Sequence, residues 1–416
     1  METQEDKNRQ ISETIRKTYE KRAGQVCRVF TVKVQGNKLS KRQKEQLKMM
    51  FVEAKWLKNA ILSWSKSNPD NKIWDYDTKQ NKITHKDRDM HDVEVELKYI
   101  PASVKQCVQS EMIANIRTIN TLRKNGLQKG GTLGFTKEVK SLNFKQYGKT
   151  HRILSSKRIK LQGISGSVPV NGMNQFYGTD VEYANAKLLN TPLGYYVQFT
   201  TYQAKSSIAK KEDNGKIIGI DFGCSTAFTT SEGEKIPASI QESERMKRLS
   251  VKMNRRQIKG SKNWYRTVGL IRKEYQKLTN RKNDLANKTA AHFNEYKTIV
   301  IQDEQLSNWQ KSGHGKAVQH SVMGRVKAKL KLNPKTVVLD RSVPTTKLCT
   351  HCGTFHDDIK VWDRQFVCGC GVEEDRDIHA AENMVWFYEH NVGVGHTNFK
   401  RAEMEALVVD ALCVNS

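Results

Sequence analysis

Four cysteines, Cys349, Cys352, Cys368 and Cys370, run directly into Asp375-Arg376-Asp377-Ile378-His379-Ala380-Ala381. Cys-x2-Cys, fifteen residues, then Cys-x-Cys is the spacing of a zinc ribbon with a shortened second knuckle. Four thiolates complete a tetrahedral zinc and leave no open position, so this metal would hold the fold and grip rather than cut. His351 or His356 could stand in for one thiolate, and Gly369 makes a tight Cys-x-Cys turn feasible. Chemistry would then fall to the acids. Asp375 and Asp377 precede Ala380, Ala381, Met384 and Val385, a helix start whose small residues suit close packing on a sheet, although an Asp at a helix start is also an ordinary cap.

Two further acids stand at the ends of buried-type strands. Residues 216–221 (KIIGID) end in Asp221, and a carboxylate there needs a cation or hydrogen-bond donors, with Mg²⁺ as the simplest partner. A turn residue is the plainer reading of that Asp taken alone. Residues 298–304 (TIVIQDE) form a second such strand. By the two-residue period Gln302 and Glu304 share a face while Asp303 lies on the other.

The elements that must position these groups follow from periodicity. After Asp213-Asn214-Gly215 the second half pairs the strand at 216–221 with one at 227–230. A helical stretch at 243–293 breaks near Lys259-Gly260-Ser261 and carries Trp264, Val268, Ile271, Tyr275 and Leu278 at heptad-like intervals. A basic helix at 318–332 and a strand at 336–339 lead on to the cysteines. In the first half, residues 1–23 are polar and read as a mobile or weakly helical arm, and 26–34 (VCRVFTVKV) alternate as a strand. Ser40 starts a helix with capping-box spacing, residues 67–87 read as a loop, and a second helix follows Pro101. From Gly130-Gly131 to about residue 205 the period is two, which gives a small antiparallel barrel or sheet with the helices as an insertion. One face of that sheet would carry Arg152, Lys157, Arg158 and Lys160, a platform for RNA or a duplex end, or simply a solvated face.

The charge balance points to a polyanionic partner. Lys plus Arg number 71 against 44 acids in 416 residues, a net +27, and the cations run through most segments with aromatics between them. Nucleic acid is the expected partner rather than a small neutral metabolite. No apolar run approaches the roughly 18 residues of a membrane span, and the start is unlike a signal peptide, so a soluble, cytoplasmic protein is expected. Cys27, Cys107, Cys224 and Cys413 are scattered, a pattern of ordinary thiols in a reducing compartment.

With these residues assembled, the chain resembles the TnpB family of transposon-encoded RNA-guided nucleases and the miniature type V CRISPR effectors. The resemblance lies in Gly219-Ile220-Asp221-Phe222-Gly223, Ile299-Val300-Ile301-Gln302-Asp303-Glu304, Thr345-Thr346-Lys347-Leu348-Cys349-x2-Cys352-Gly353, and Asp375-Arg376-Asp377 with Ala380-Ala381-Glu382-Asn383. It is strong over about residues 216–388 and only architectural over 26–205. It implies a RuvC nuclease with a zinc-bearing target-loading module, with Asp221 as the first metal ligand, Asp377 as the third and a second-segment acid between them. In the commoner pattern Glu-Asp-Leu closes that second strand, and here Gln302 stands at the Glu. Glu304, on the same face, is chosen over Asp303 as the ligand.

The resemblance implies two-metal phosphodiester hydrolysis, with the carboxylates holding two Mg²⁺ roughly 4 Å apart. It also implies a guide RNA and a double-stranded target DNA beside a short adjacent motif as partners, no membrane, and a monomer or a homodimer on one RNA. The expected fold class is multi-domain α+β and α/β. Its parts are a flexible arm (1–25), a wedge-like β-barrel (26–39 and 130–212) interrupted by a helical recognition insertion (40–129), an RNase H-like RuvC domain (213–346 and 371–390) with an inserted zinc ribbon (347–370), and a C-terminal tail (391–416). Two alternatives stay open: a nuclease-inactive RNA-guided DNA-binding protein, and a guide-independent zinc-ribbon binder of nucleic acid.

Overall fold

The computed structural model describes residues 4–68, 70–87, 91–128, 130–208, 212–360 and 362–391, so the expected C-terminal tail and Cys413 lie almost wholly outside the described residues. The chain forms two compact units, residues 1–209 and 210–416. No described helix is long and apolar enough to cross a membrane.

In the first unit, the segment expected to be a mobile or weakly helical arm is a helix, α1 (Gln4–Ala23). Its last turn is pinned because Arg22 and Lys21 reach the Glu182 carboxylate at 2.7 and 2.8 Å, and Arg22 lies 3.5 Å over the Tyr202 ring. These contacts lie far away in sequence, which is why local polarity alone suggested a loose arm.

Strand β1 (Gln25–Val34) follows, then α2 (Lys41–Ser67), opened by the expected reciprocal cap between Ser40 and Gln43. The stretch expected as a loop holds β2 (Lys82–Lys86), which pairs with β3 (Asp92–Glu96). Alternation over so few residues, among Asn and Lys, hid that hairpin. Helix α3 (Ala102–Lys124) comes next. Its entry is fixed by Glu53 of α2, a buried carboxylate that accepts the main-chain N–H of Lys98, Tyr99 and Ile100 at 3.0, 2.8 and 2.8 Å.

Strands β4 (Ser141–Phe144), β5 (His151–Ser155), β6 (Arg158–Leu161), β7 (Val168–Asn171), β8 (Glu182–Thr191) and β9 (Gly194–Ala204) join β1 in one antiparallel, nearly closed barrel-like sheet of order β4-β8-β9-β1-β7-β6-β5. Strand residues such as Val32, Phe144 and Phe199 share a continuous core with Leu47, Leu57 and Val104 of the inserted helices. The barrel and its insertion therefore stabilise each other by apolar burial. Arg152, Arg158 and Lys160 are exposed along β5 and β6, with Lys157 exposed in the turn between them.

The second unit is a mixed α/β fold. Strands β10 (Ile217–Asp221), β11 (Phe228–Thr230) and β12 (Lys235–Ile236) form an antiparallel meander. Helices α4 (Glu244–Arg255) and α5 (Lys262–Phe293) flank the expected break. Strand β13 (Thr298–Gln302) pairs parallel to β10, and β14 (Thr336–Leu339) parallel to β13, giving the order β12-β11-β10-β13-β14. After a short α6 (Leu306–Trp309), the basic helix expected over 318–332 is divided between the end of α7 (Gly315–His320) and α8 (Met323–Leu330). The division falls at Ser321 and Val322, whose main chain turns aside to bridge Ser239 and Ala238.

Strands β15 (Gln365–Val367) and β16 (Glu373–Asp375) form a hairpin leading into α9 (Arg376–Glu389). The sheet is covered on both faces. Ile218, Ile220 and Ile301 pack with Ala286 and Phe293 of α5 and Val326 of α8, while Val300 packs with Met384 and Phe387 of α9. Gly219 belongs to the α9 side, where a Cβ would lie 1.9 Å from the Ala381 main-chain oxygen. Absence of a side chain here lets α9 sit directly on β10.

Candidate metal centre and carboxylate site

Among the described residues, Cys349, Cys352, Cys368 and Cys370 form the one group of three or more potential ligands whose donor atoms all lie within 4.8 Å of one another. The Cys349–Cys370 and Cys352–Cys368 sulfur pairs are 3.7 and 3.5 Å apart. A tetrahedron of sulfurs about 2.3 Å from a zinc has edges of about 3.8 Å, so the donor set fits that ion. His351 and His356 lie outside the group; the His356 ring meets the edge of Phe366 instead.

The knuckles are made by main-chain bonds, Gly353 N–H to Cys349 O at 2.8 Å and Cys368 N–H to Val372 O at 2.8 Å. In the second knuckle the left-handed residue is Gly371, at φ 96°, and not Gly369. The turn closes one residue later than the Cys-Gly-Cys spacing suggested.

The knuckle and α9 are welded by a buried polar network. His379 stacks on Phe366 with centroids 3.5 Å apart, its Nδ1 is 2.6 Å from Glu374, and its Nε2 is 2.9 Å from the Leu348 carbonyl. Asn383 donates to the carbonyls of Thr345 and Leu348 at 2.8 and 2.7 Å. Sequence reading took His379 and Asn383 only as parts of a motif, since their partners are more than thirty positions upstream.

Asp375 is the cap of α9: its side chain accepts the N–H of Asp377 and Ile378 at 3.0 and 3.3 Å. Asp377 sits in the first turn, within 3.2 Å of Arg376 and 3.9 Å of Arg364. Asp221 ends β10 on the α9 side. Burial raises its carboxyl well above the usual range, and the charges of Glu304 and Asp377 raise it further, while Arg376 opposes them.

Glu304 lies two residues past the end of β13, so the strand expected to run through it is shorter. Burial pushes its carboxyl up to about 7, and Oε2 is buried without a hydrogen-bond partner. Asp303 turns the other way. Its exposed carboxylate pairs with Lys331 at 2.5 Å and Lys327 at 3.6 Å, and the Lys331 hydrogen bond holds it below the usual range.

Gln302, where the commoner pattern has an acid, spends its side chain elsewhere. Its amide donates to Asp340 O at 3.1 Å and Val343 O at 2.7 Å and accepts from Thr345 Oγ1 at 3.2 Å. Lys327, which nothing in the basic α8 pattern singled out, is 7% exposed and donates to the Glu304 main-chain oxygen at 2.5 Å.

Asp221, Glu304 and Asp377 thus share one electrostatic neighbourhood, without meeting the close spacing of the four thiols. A buried carboxylate oxygen with no donor, as at Glu304, is unfavourable alone and fits a bound cation.

Residues 198–312 match the family described as "Probable transposase" (OrfB_IS605), and residues 321–384 match "Cas12f1-like, TNB domain". The chain resembles TnpB-type miniature effectors. A relative from Streptomyces pristinaespiralis, named "Putative RNA-guided DNA endonuclease", is 29% identical over 197 residues, 45% of this chain and 49% of that protein. The chain spans about half the length of this curated relative. The Cas12f1 chain of a solved Cas12f1-sgRNA-target DNA complex superposes with a TM-score of 0.49 at 11% identity, over 87% of this chain and 99% of that one. Together the two matched segments include Asp221, Glu304, Asp377 and all four cysteines of the cluster.

Proposed function

We propose that the chain is a guide-RNA-directed endonuclease that pairs its guide with one strand of double-stranded DNA beside a short adjacent motif and hydrolyses DNA phosphodiesters at Asp221, Glu304 and Asp377. The observation that carries this reading is the placement of three acids: Asp221 at the end of β10, Glu304 just past the end of the adjacent parallel strand β13, and Asp377 in the first turn of α9, which sits directly on β10. The two family matches and the name of the Streptomyces relative support it.

Asp221, Glu304 and Asp377 would hold two Mg²⁺, and the four cysteines one Zn²⁺. Bound Mg²⁺ supplies an activated water and stabilisation of the leaving 3′ oxygen. The protein's part is positional. The N–H groups of α9 bond Asp375 and so fix where Asp377 points, Lys327 fixes the Glu304 main chain, and Arg376 balances the acids while leaving the Glu304 oxygen open. The barrel face with Arg152, Lys157, Arg158 and Lys160 suits RNA phosphates, whose contact needs charge and not sequence.

A nuclease-inactive RNA-guided binder is the second reading, and Gln302 favours it, because the side chain at the commoner acid position is fully occupied by hydrogen bonds. Purifying the protein with its RNA, sequencing that RNA and replacing its guide portion separates the readings. Cleavage that follows the new guide supports the first. Guide-dependent binding without cleavage supports the second, and RNA of random sequence overturns both.

A further inference from the structure

Lys327 projects from α8, whose Met323, Val326 and Leu330 are buried in one core with Ile220 and Ile301 of the sheet. Its stem is therefore held by the same strands that carry Asp221 and lead to Glu304. Lysine is among the residues least often buried, yet the ammonium here is almost fully enclosed. It meets three parts of the carboxylate site: it donates to Glu304 O at 2.5 Å, lies 3.6 Å from the Asp303 carboxylate, and stands 5.6 Å from the ring centre of Phe222, the residue after Asp221.

The main chain that Lys327 touches is a tight turn. Asp303 N–H still donates to Leu339 O of β14 at 2.9 Å, but Glu304 N–H folds back on Gln302 O, two residues behind it, at 2.9 Å. An extended chain would instead carry residue 304 about 7 Å beyond residue 302 and away from the end of β10. The turn also parts the two neighbouring acids. Asp303 faces out to Lys331 at 2.5 Å, while Glu304 Oε2 is buried with no hydrogen-bond partner.

We infer that Lys327 is a positioning residue that selects Glu304 over Asp303 as the acid of this segment. By holding the carbonyl that follows the turn it keeps the longer acid inward, and by its pull on Asp303 it keeps the shorter one out. The inference rests on Asp221, Glu304 and Asp377 being the cation-holding group, and it names the residue that lets an acid two places past Gln302 serve there. Charge and position act in opposite directions, which gives the role a signature. An ammonium beside carboxylates competes with a divalent cation, so losing Lys327 for its charge alone tightens divalent binding. Losing it as the clasp of the turn weakens binding, because Glu304 loses its place.

The test is calorimetric titration of Mn²⁺ into the full-length protein, with zinc content and thermal unfolding followed in each variant, so that no cleavage is needed. Lys327→Met, similar in length and uncharged, is expected to weaken Mn²⁺ binding roughly tenfold, and Lys327→Arg, which keeps a donor in reach, to recover most of it. Lys331→Met, which removes only the exposed partner of Asp303, is expected to leave binding unchanged. In a Glu304→Gln background Lys327→Met should have no further effect, since no carboxylate is left to position. Unchanged or tighter binding in Lys327→Met, a loss that Arg does not recover, or equal weakening in both backgrounds would overturn the proposal. Failure of the site itself looks different: wild type and Glu304→Gln would then bind Mn²⁺ equally, which overturns both. A wild type that binds Mn²⁺ through Glu304 and Lys327 yet never cleaves would sink the nuclease reading and leave this role standing.

Discussion

Gln302 donates its amide to the Val343 carbonyl at 2.7 Å, which ties the end of β13 to the loop that enters the cysteine region. The same amide reaches Asp340 O, so two carbonyl oxygens face this side chain. Restoring the commoner acid with Gln302→Glu would set a carboxylate against both. We expect a loss of about 2–4 kcal/mol in stability and no gain in cleavage, measured by denaturant unfolding and a nuclease assay. A stable, more active variant would show that position 302 still serves as the ligand.

Gly219→Ala places a methyl 1.9 Å from the Ala381 main-chain oxygen. Backbone cannot yield as a side chain can, so α9 must lift from β10, at a cost of about 3 kcal/mol or more. Thermal unfolding checks the stability. Loss of cleavage in the fraction that remains folded would show that the seat of α9 also sets the position of Asp377.

The four-thiol cluster predicts one zinc per chain by elemental analysis. Cys349→Ser, which removes a buried ligand, is expected to release the metal and open residues 347–375 to limited proteolysis. Because His379 and Asn383 bond the Leu348 carbonyl next to Cys349, the start of α9 should loosen as well, visible as faster amide exchange at residues 376–383.

His151 is 2% exposed in the barrel, and burial pulls its pKa down from 6.5 to about 4. The unfolded chain takes up the proton first, so stability is lost as pH falls from about 6.5 and the loss is complete near 4, an effect of about 3 kcal/mol. Unfolding free energy of the wild type should drop across that window relative to His151→Phe. Parallel curves would contradict the neutral, buried imidazole.

Much of the architecture was legible because it rests on local pattern: the alternation of β1, the cap at Ser40, the break before α5 and the Cys-x2-Cys knuckle all show in short windows. Parity chose Glu304 over Asp303, and the structure turns Asp303 out to Lys331 while Glu304 acts on Asp221. The parity argument nonetheless extended a strand that stops at Gln302. What stayed hidden depends on distant partners. The order of α1 comes from Glu182, the role of Lys327 from the Glu304 main chain, and the occupation of Gln302 from a loop about forty residues on. No short window of sequence contains any of these three pairs.

The central claim is that Asp221, Glu304 and Asp377 act together as the cation-holding group. Its most direct measurement is Mg²⁺-dependent cleavage of duplex DNA matching the bound guide by wild type, Asp221→Ala, Glu304→Gln and Asp303→Asn, with guide and DNA binding measured in parallel. The account predicts at least a hundredfold loss of cleavage in the first two variants with binding intact, and near wild-type cleavage in Asp303→Asn, whose exposed ion pair is worth less than about 1 kcal/mol. Equal cleavage by wild type and Asp221→Ala, or loss in Asp303→Asn with Glu304→Gln unaffected, would contradict it.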